Sequence, residues 1–575
     1  MQIYAFGPFV LDPAERRLTR AGQRVAVPGK AWQILLLLAE AGGRLVPHEA
    51  FRTKLWPNVV VEDRTLTVHM STLRKALGVD WAADLIETVS GTGYRLTVPV
   101  RILSGADGTG EGRGTGEIVT SRLVADAMPV AIQPFATGDL AEADSYLGVG
   151  IADAVTTMLG GLPGLAVSSV GAVQDLAGAR TLGLAHMIEG AVRREAEKIH
   201  VSTRLVDVAS GGVQSVARFE QAPANGVALQ DAIAKWVAVS LPQLPPAAND
   251  LHSYRPRAAE AYFLQLQARA HLKPFTRLPL LRALSLFEQA LVLDPDYAMA
   301  HAGLASTYLL MASTAMLRPL PVDEAMPMAR QAAERALAFD EGLAEAWAAL
   351  GRVKMEYDWD WDGAEADLAH AVSLNASSVE ALSTFGQFLS AMGRHDEAIE
   401  TMEQARRLDP RHVETLQHFG IVYWIAGQAD AALQIVKDSL AFSPDSVRGH
   451  YGSVMILDQL GRHDEAMAER LTTLRGLGLG PGLADQLQAI LAAKGWREAM
   501  LFWIGLLERS GRWEGAAQQW MAVGEPGRAL DALEHCVKVR TTYLVFVGQV
   551  PSFRPLHGEP RFQAVLQALG LDKRL

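Results

Sequence analysis

The stretch Glu62–Leu77 reads EDRTLTVHMSTLRKAL. Leu66, Met70, Leu73 and Leu77 fall at helical spacing and form one apolar stripe. Arg64, Val68, Ser71, Thr72 and Lys75 lie on the opposite face. Asp63 stands where a carboxylate caps free N–H groups and complements the helix dipole. Two readings fit this stretch. One is an ordinary amphipathic surface helix. The other is a helix that enters a major groove, its cations on phosphates and its short side chains at base edges.

The flanks decide between them. Strand-like pieces at Ile3–Leu11 and Leu18–Val27 are separated by a turn at Asp12–Pro13. A helix is predicted from Pro28 to Glu40, with Pro28 near its start and Gly42–Gly43 beyond its end. A second runs from Pro47 to Leu55, and the quoted stretch is the third. Strands follow near Leu85–Val89 and Tyr94–Val98, joined by Ser90-Gly91-Thr92-Gly93. A small hairpin, three helices and a closing hairpin are the order of a winged helix.

Two motifs carry a family resemblance. One runs from Leu55-Trp56 through Val61-Glu62-Asp63-Arg64-Thr65 and Val68-His69 to Leu73-Arg74-Lys75-Ala76-Leu77. The other is Thr88-Val89-Ser90-Gly91-Thr92-Gly93-Tyr94-Arg95. Together they resemble the OmpR/PhoB-type DNA-binding domain over nearly all of residues 1–100. The resemblance implies that the third helix reads the major groove and that the wing, Ser90, Gly91 and Thr92, reaches the adjacent minor groove. By position it places Trp56, Arg64, Thr65, Arg74 and Tyr94 on phosphates, with Lys75 as a further cation, and it turns Thr67, Val68 and Thr72, with Ser71 beside them, toward bases. Arginine and lysine suit phosphate, and small side chains suit base edges. For Trp56 and Tyr94 core packing is the competing role, and for Arg64 and Arg74 an ion-paired surface.

This chain departs from the family at Ser71, Thr72 and Ser90, where relatives often carry arginine. Fewer cations imply weaker affinity per domain and a shallower salt dependence. A homodimer on DNA, or tandem binding, would compensate. Relatives usually carry a receiver domain before the winged helix; here the winged helix comes first, so control is expected downstream.

The charge distribution agrees. The 575 residues carry a net charge of −11, yet residues 1–100 hold 12 Lys/Arg against 9 Asp/Glu and the rest hold 41 against 55. A modestly basic head on an acidic body fits a DNA-binding module with a sensory or scaffold body. The single cysteine, Cys536, excludes an internal disulfide or a cysteine-based zinc site and points to a reducing compartment. No basic, apolar leader opens the chain, and the longest uncharged run, Ala154–Gln174, is broken by Gly160, Gly161, Pro163 and Gly164. A cytoplasmic protein with no membrane contact is expected.

Residues 101–127 include GADGTGEGRGTG and read as a flexible linker. Residues 128–245 alternate strands and helices: strands at Pro129–Phe135, Leu165–Ser169, His186–Val192, Lys198–Val208 and Val213–Phe219, with helices at Ala141–Leu159, Val170–Leu182 and Leu229–Leu241. This describes a small α/β domain. Val130–Phe135, Ile188–Arg194 and Leu205–Asp207 resemble TolB-amino-terminal or FlgO-like domains, whose role is poorly defined. Glu189, Arg193, Arg194 and Asp207 could mark a ligand site or a solvated sheet edge.

From residue 255 a repeat takes over. Trp359-Asp360-Trp361-Asp362-Gly363-Ala364 is echoed at Gly393, Gly427 and Gly461, each 34 residues on. Asn375, Asp409 and Ser443 keep the same period, two of them followed by proline. The pattern resembles the tetratricopeptide repeat: glycine ends the first helix, alanines let the second cross closely, and proline stops the hairpin. About six units are expected over 256–475, further helices to 542, and a cap over 543–575. Repeats of this kind offer a groove to a protein or peptide partner, with Trp347, Tyr357, Tyr423 and Trp424 as candidates for its lining and core packing as their competing role.

No P-loop, HExxH, GxSxG or Cys/His metal cluster occurs, so no catalytic residues, cofactor or metal are expected. The fold class expected is multidomain: an N-terminal winged helix, a small α/β middle domain and an all-α repeat solenoid. The function expected is a sequence-specific transcriptional regulator. The alternative is a repeat scaffold whose winged helix makes protein contacts.

Overall fold

The computed structural model describes most of residues 3–55 and then only Leu66, Met70, Leu73, Arg74 and Leu77 up to residue 84. It describes 85–103 except 90, 91 and 99, and the chain from 127 onward with short breaks at 139, 141–143, 196–197, 223–225, 242–255, 273–276, 314–319, 477–481 and 575. Two compact units result, Met1–Gly114 and Thr115–Leu575.

In the first unit, β1 (Ile3–Phe6), β2 (Phe9–Asp12), β3 (Arg17–Arg20) and β4 (Gln23–Val25) form an antiparallel meander. Each of the two expected strands is therefore a hairpin, because Gly7-Pro8 and Ala21-Gly22 interrupt them. Helices Gly29–Glu40 and His48–Leu55 follow, with β5 (Val46–Pro47) between them. The wing strands are β6 (Ile86–Val89) and β7 (Gly93–Leu96). Then β8 (Val100–Leu103) returns antiparallel to β1, pairing Ile102 with Tyr4. The linker expected from 101 accordingly begins no earlier than 104. The alternating run Val100-Arg101-Ile102-Leu103 suits a strand that completes the N-terminal sheet. The glycine-rich part of the expected linker lies outside the described residues.

One core joins these pieces. Phe6, Phe9, Leu11, Leu35, Leu38 and Phe51 pack with Leu66, Met70, Leu73 and Leu77, so the apolar stripe of the quoted stretch is buried. Close approach at the wing requires glycine: a Cβ on Gly93 would sit 2.0 Å from the Val46 carbonyl oxygen, across the β5–β7 ladder. Replacing Gly93 with alanine should therefore pry β5 from β7 and cost about 2 kcal/mol. For a domain of this size that lowers the melting temperature by about 10 °C. A thermal scan of residues 1–103 would read the shift.

In the second unit, β9 (Met128–Ile132), β10 (Leu165–Ser168), β11 (His186–Glu195), β12 (Lys198–Asp207) and β13 (Val213–Gln221) form one sheet in the order β10-β9-β11-β12-β13. The first three strands are parallel, as their helical crossovers require, and the last three are joined by antiparallel pairing. Helices Tyr146–Gly160 and Gly226–Ser240 pack with the strands in one core. The helix expected over Val170–Leu182 is shorter, Leu176–Thr181. Gly171 turns the chain at φ +91°, and the Asp175 carboxylate caps the helix by accepting from the Gly178 N–H.

Helices then pair: Ala259–Leu272 with Arg277–Leu293, Ala298–Ser313 with Val322–Phe339, Ala344–Val353 with Trp361–Leu374, Val379–Ala391 with His395–Leu408, Val413–Ile425 with Ala429–Phe442, and Val447–Gln459 with His463–Gly476. Gly393, Gly427 and Gly461 adopt φ of +74°, +81° and +69° at the equivalent turns, which only glycine takes without strain. Trp359 holds that position in the third pair at φ +61°, after a π-helical turn at Lys354–Asp358. The α/β domain docks on these repeats. The Val167 N–H donates to Ser377 Oγ (3.0 Å) and the Ser169 N–H to the Leu408 carbonyl (3.1 Å), so the free edge of β10 is paired.

Residues 542–571 do more than end the stack. Thr542–Phe546 and Pro551–Leu556 are 3₁₀ turns and Pro560–Ala568 is a helix. Trp361 Nε1 donates to the Leu569 carbonyl (2.6 Å) and Arg574 pairs with Asp362 (2.9 Å), so the end of the chain is fastened to the third helical pair. No helix among the described residues is long and apolar enough to cross a membrane.

Candidate DNA-binding interface

Arg74 is the described polar residue of the third helix, and its position is built from both neighbours. Leu73 beside it is fully buried, which turns Arg74 toward the wing. Arg74 Nη2 donates to the Ile86 carbonyl (2.7 Å) and to Thr88 Oγ1 (2.8 Å), both on β6. Its guanidinium carbon lies 6.0 Å from the centre of the Tyr94 ring. One side chain thus ties the third helix to both strands of the wing.

Tyr94 is 5% exposed and packs edge-on against Phe51 and beside His48. Burial makes it a core residue first, and only its small accessible part could meet a phosphate. Thr92 is exposed at the tip of the wing. Its N–H donates to the Val89 carbonyl (3.0 Å), and its carbonyl accepts from the His48 N–H (3.0 Å), where helix His48–Leu55 begins. The wing is therefore braced at two points, by Arg74 from the third helix and by His48 from the second. Beyond the braces, Arg95 pairs with Glu87 across the strands at 2.6 Å, both side chains exposed.

Trp56, Arg64, Thr65, Thr67, Val68, Ser71, Thr72, Lys75, Ser90 and Gly91 lie outside the described residues. The bracing contacts of Ile86 and Thr88 were not anticipated. Thr88 opens the wing motif, so the motif itself held that signal; a carbonyl such as that of Ile86 leaves none.

The expected candidates elsewhere disperse. Glu189 pairs with Arg204, Arg194 with Asp144 at 3.0 Å, and Asp207 closes a turn by accepting from the Ser210 N–H (2.8 Å) and hydroxyl (2.6 Å). Arg193 is exposed, facing His200 in register. They form no common site. Among the groove candidates, Trp424 is buried in the repeat core, Tyr423 stacks on Phe419 at 4.4 Å, and Trp347 donates to the Glu341 carbonyl at 2.9 Å.

A charged row lies along the first helices of the pairs instead. Arg269 binds Asp153 (2.9 Å) and Glu345 (3.0 Å), Arg352 binds Glu356 (2.8 Å), and Arg448 faces Glu414 (3.6 Å). Glu380 accepts from Ser306 Oγ at 3.3 Å. The surrounding protein, with Glu345 and Glu414 nearby, pushes its carboxyl up to about 7. His418, enclosed beside Arg448 and Arg352, is driven well below its ordinary range by burial first and those charges second, and stays neutral.

Comparison with known proteins assigns the class. Residues 22–96 match the family described as "Transcriptional regulatory protein, C terminal", and residues 377–445 match the tetratricopeptide repeat. The chain carries an OmpR/PhoB-type winged-helix domain at its N-terminus, a small sheet domain in its middle and tetratricopeptide-type helical repeats in its C-terminal part. Among individual relatives, the transcriptional regulator HilA of Salmonella typhi is 24% identical over 480 residues, covering 82% of each chain. The phosphate regulon transcriptional regulatory protein PhoB of Pseudomonas aeruginosa is 35% identical over 92 residues, 16% of this chain and 40% of that one. A putative adenylate cyclase 3 of Rhizobium meliloti is 26% identical over 186 residues, 31% of this chain and 32% of that protein.

Proposed function

We propose that this chain is a sequence-specific DNA-binding transcriptional regulator. The helix over 62–77 lies in the major groove, with Arg64, Arg74 and Lys75 toward phosphates, supported by Trp56, Thr65 and Tyr94. Thr67, Val68, Ser71 and Thr72 face bases, and the wing tip Ser90–Thr92 meets the minor groove. The observation that carries this reading is the helix–wing brace. The third helix buries the stripe Leu66, Met70, Leu73 and Leu77 and is locked to the wing by Arg74, within a domain of matching family. The α/β domain (128–245) and the repeats (255–542, closed by 543–575) hold the regulatory contacts, with protein or peptide partners on the repeats, and two copies read paired half-sites. Catalysis and cofactors have no part in this reading, and the compartment is the cytoplasm.

Selection from random duplex DNA with the full chain and with residues 1–103, at two salt concentrations, tests it. A shared enriched motif, bound less tightly at high salt, is the expected result. Arg64→Ala should weaken binding to all sequences by about tenfold, as loss of a phosphate contact does, while Thr72→Ala should change base preference at one position by about 1–3 kcal/mol. Failure of both proteins to enrich any motif would instead favour a repeat scaffold whose winged helix makes protein contacts, a reading that gains from the commitment of Arg74 to the wing.

A further inference from the structure

The segment after the last long helix, Pro526–Val539, does not leave the stack. Its turn Thr542–Phe546 touches helices Ala298–Ser313 and Val379–Ala391 and the π-helical turn Lys354–Asp358. Tyr543 receives a hydrogen bond from the Arg448 guanidinium on the Val447–Gln459 helix. These are the first helices of the second, fourth and sixth pairs, with the continuation of the first helix of the third. One short segment reaches all of them only from the inner face, which those helices line.

The contacts there are those of a bound peptide. Arg540 donates to the Tyr357 carbonyl, and its guanidinium lies 4.5 Å from the Trp359 ring centre and 5.2 Å from that of Tyr357. Both residues of this stack sit in left-handed backbone, Trp359 at φ +61° and Arg540 at φ +51°. Sister turns carry glycine where Trp359 stands, so the ring is kept against backbone strain. Three residues on, Tyr543 lies against Arg448. Leu544, Val545, Phe546 and Val547 bury the segment's apolar side, and Gln549 bonds His395 beside Gly393.

We propose that Arg540–Val550 is a tethered ligand of the repeat groove, and that the groove's external partner is a peptide with an arginine, an aromatic residue three positions later and an apolar run, which takes the segment's place. This rests on reading the repeats as a partner-binding surface and not on DNA recognition. Tethering supplies a high effective concentration, so the outside peptide competes only when the segment is weakened or the partner is abundant.

The test uses the full chain and a fluorescent synthetic peptide of residues 539–551, followed by polarisation, with no DNA present. The variant Arg540→Gly/Tyr543→Ser removes two charged contacts while easing the backbone at 540. At about tenfold per 1.4 kcal/mol it should bind the peptide about 100-fold more tightly than the wild-type chain does. The same peptide with its arginine changed to alanine should bind about tenfold less well. Equal binding by both chains, or no binding by a variant of unchanged helix content, would overturn the proposal. Hydrogen exchange on the wild-type chain gives a second reading should the variant unfold. A tethered ligand exchanges its 544–550 amides while helix Val379–Ala391 stays protected; concerted exchange of the two marks an inseparable part of the core and also overturns it.

Discussion

Changing Arg74 to lysine should weaken DNA binding and destabilise the N-terminal unit although the charge is kept. A phosphate contact tolerates lysine, which is a point charge on a flexible stem. A planar guanidinium whose Nη2 serves the Ile86 carbonyl and Thr88 hydroxyl while the group lies by the Tyr94 ring is not matched by that stem. The lost charge-assisted bonds and the contact with Tyr94 amount to about 2 kcal/mol, or about 10 °C in melting temperature for residues 1–103. The wing would then move relative to the third helix, and affinity should fall about tenfold even at low salt, with the slope of log affinity against log salt nearly unchanged. A different outcome, lysine restoring both stability and affinity while alanine loses only affinity, would return Arg74 to a simple phosphate role. Thr88→Val gives an independent check. It removes one acceptor without touching any cation, so it should reproduce about half of the stability loss.

The distinction between these roles marks where sequence reasoning runs out. The spacing of Leu66, Met70, Leu73 and Leu77 is a local property, and their burial followed from it. The 34-residue period was likewise plain, because each turn needs a left-handed residue and glycine recurs there. The family resemblance places Arg74 on phosphate by position, with an ion-paired surface as the competing role. Its acceptors, Ile86 and Thr88, are brought to it only by the return of the wing, a contact spanning 12–14 residues. The same holds over greater distances. Nothing local in Arg540 or Trp359 shows that residues about 180 apart stack. A tryptophan where the period calls for glycine was the visible irregularity, and its meaning appears only once the chain has come back through the groove.

Replacing Arg269 with alanine should be the most damaging single change in the second unit. Arg269 stands in the last turn of the Ala259–Leu272 helix and joins three parts of the chain: its own repeat, Asp153 on the α/β domain's Tyr146–Gly160 helix, and Glu345 at the start of the third pair. Burial works against its charge, but Glu345 and Asp153 outweigh that and hold the guanidinium protonated more firmly than usual. Without it, the mostly buried Asp153 and Glu345 carboxylates lose the cation that joins them, and Glu345 is left beside Glu380, at a cost of about 3 kcal/mol. The loss should show as earlier urea unfolding and as faster exchange of the Tyr146–Gly160 amides, because the α/β domain loses its charged tie to the repeats. The pH dependence has a definite sign. A carboxyl raised in the folded state, as Glu380 is to about 7, makes the folded chain bind more protons than the unfolded one between its ordinary value and 7. Stability from that group therefore falls as pH rises through this range. In the Arg269→Ala chain Glu380 loses a cation that draws its carboxyl down, so the difference from wild type should be larger at pH 8 than at pH 5.5. The neutral triple variant Asp153→Asn/Arg269→Met/Glu345→Gln separates charge from packing. It should recover to within about 1 kcal/mol of wild type, since replacing a buried ion network whole is far cheaper than stranding its carboxylates. A triple variant as unstable as Arg269→Ala would mean that Arg269 acts through its packed stem instead, and that the α/β domain is held to the repeats by the β10 edge and by Tyr262 and Leu266 packed into its core.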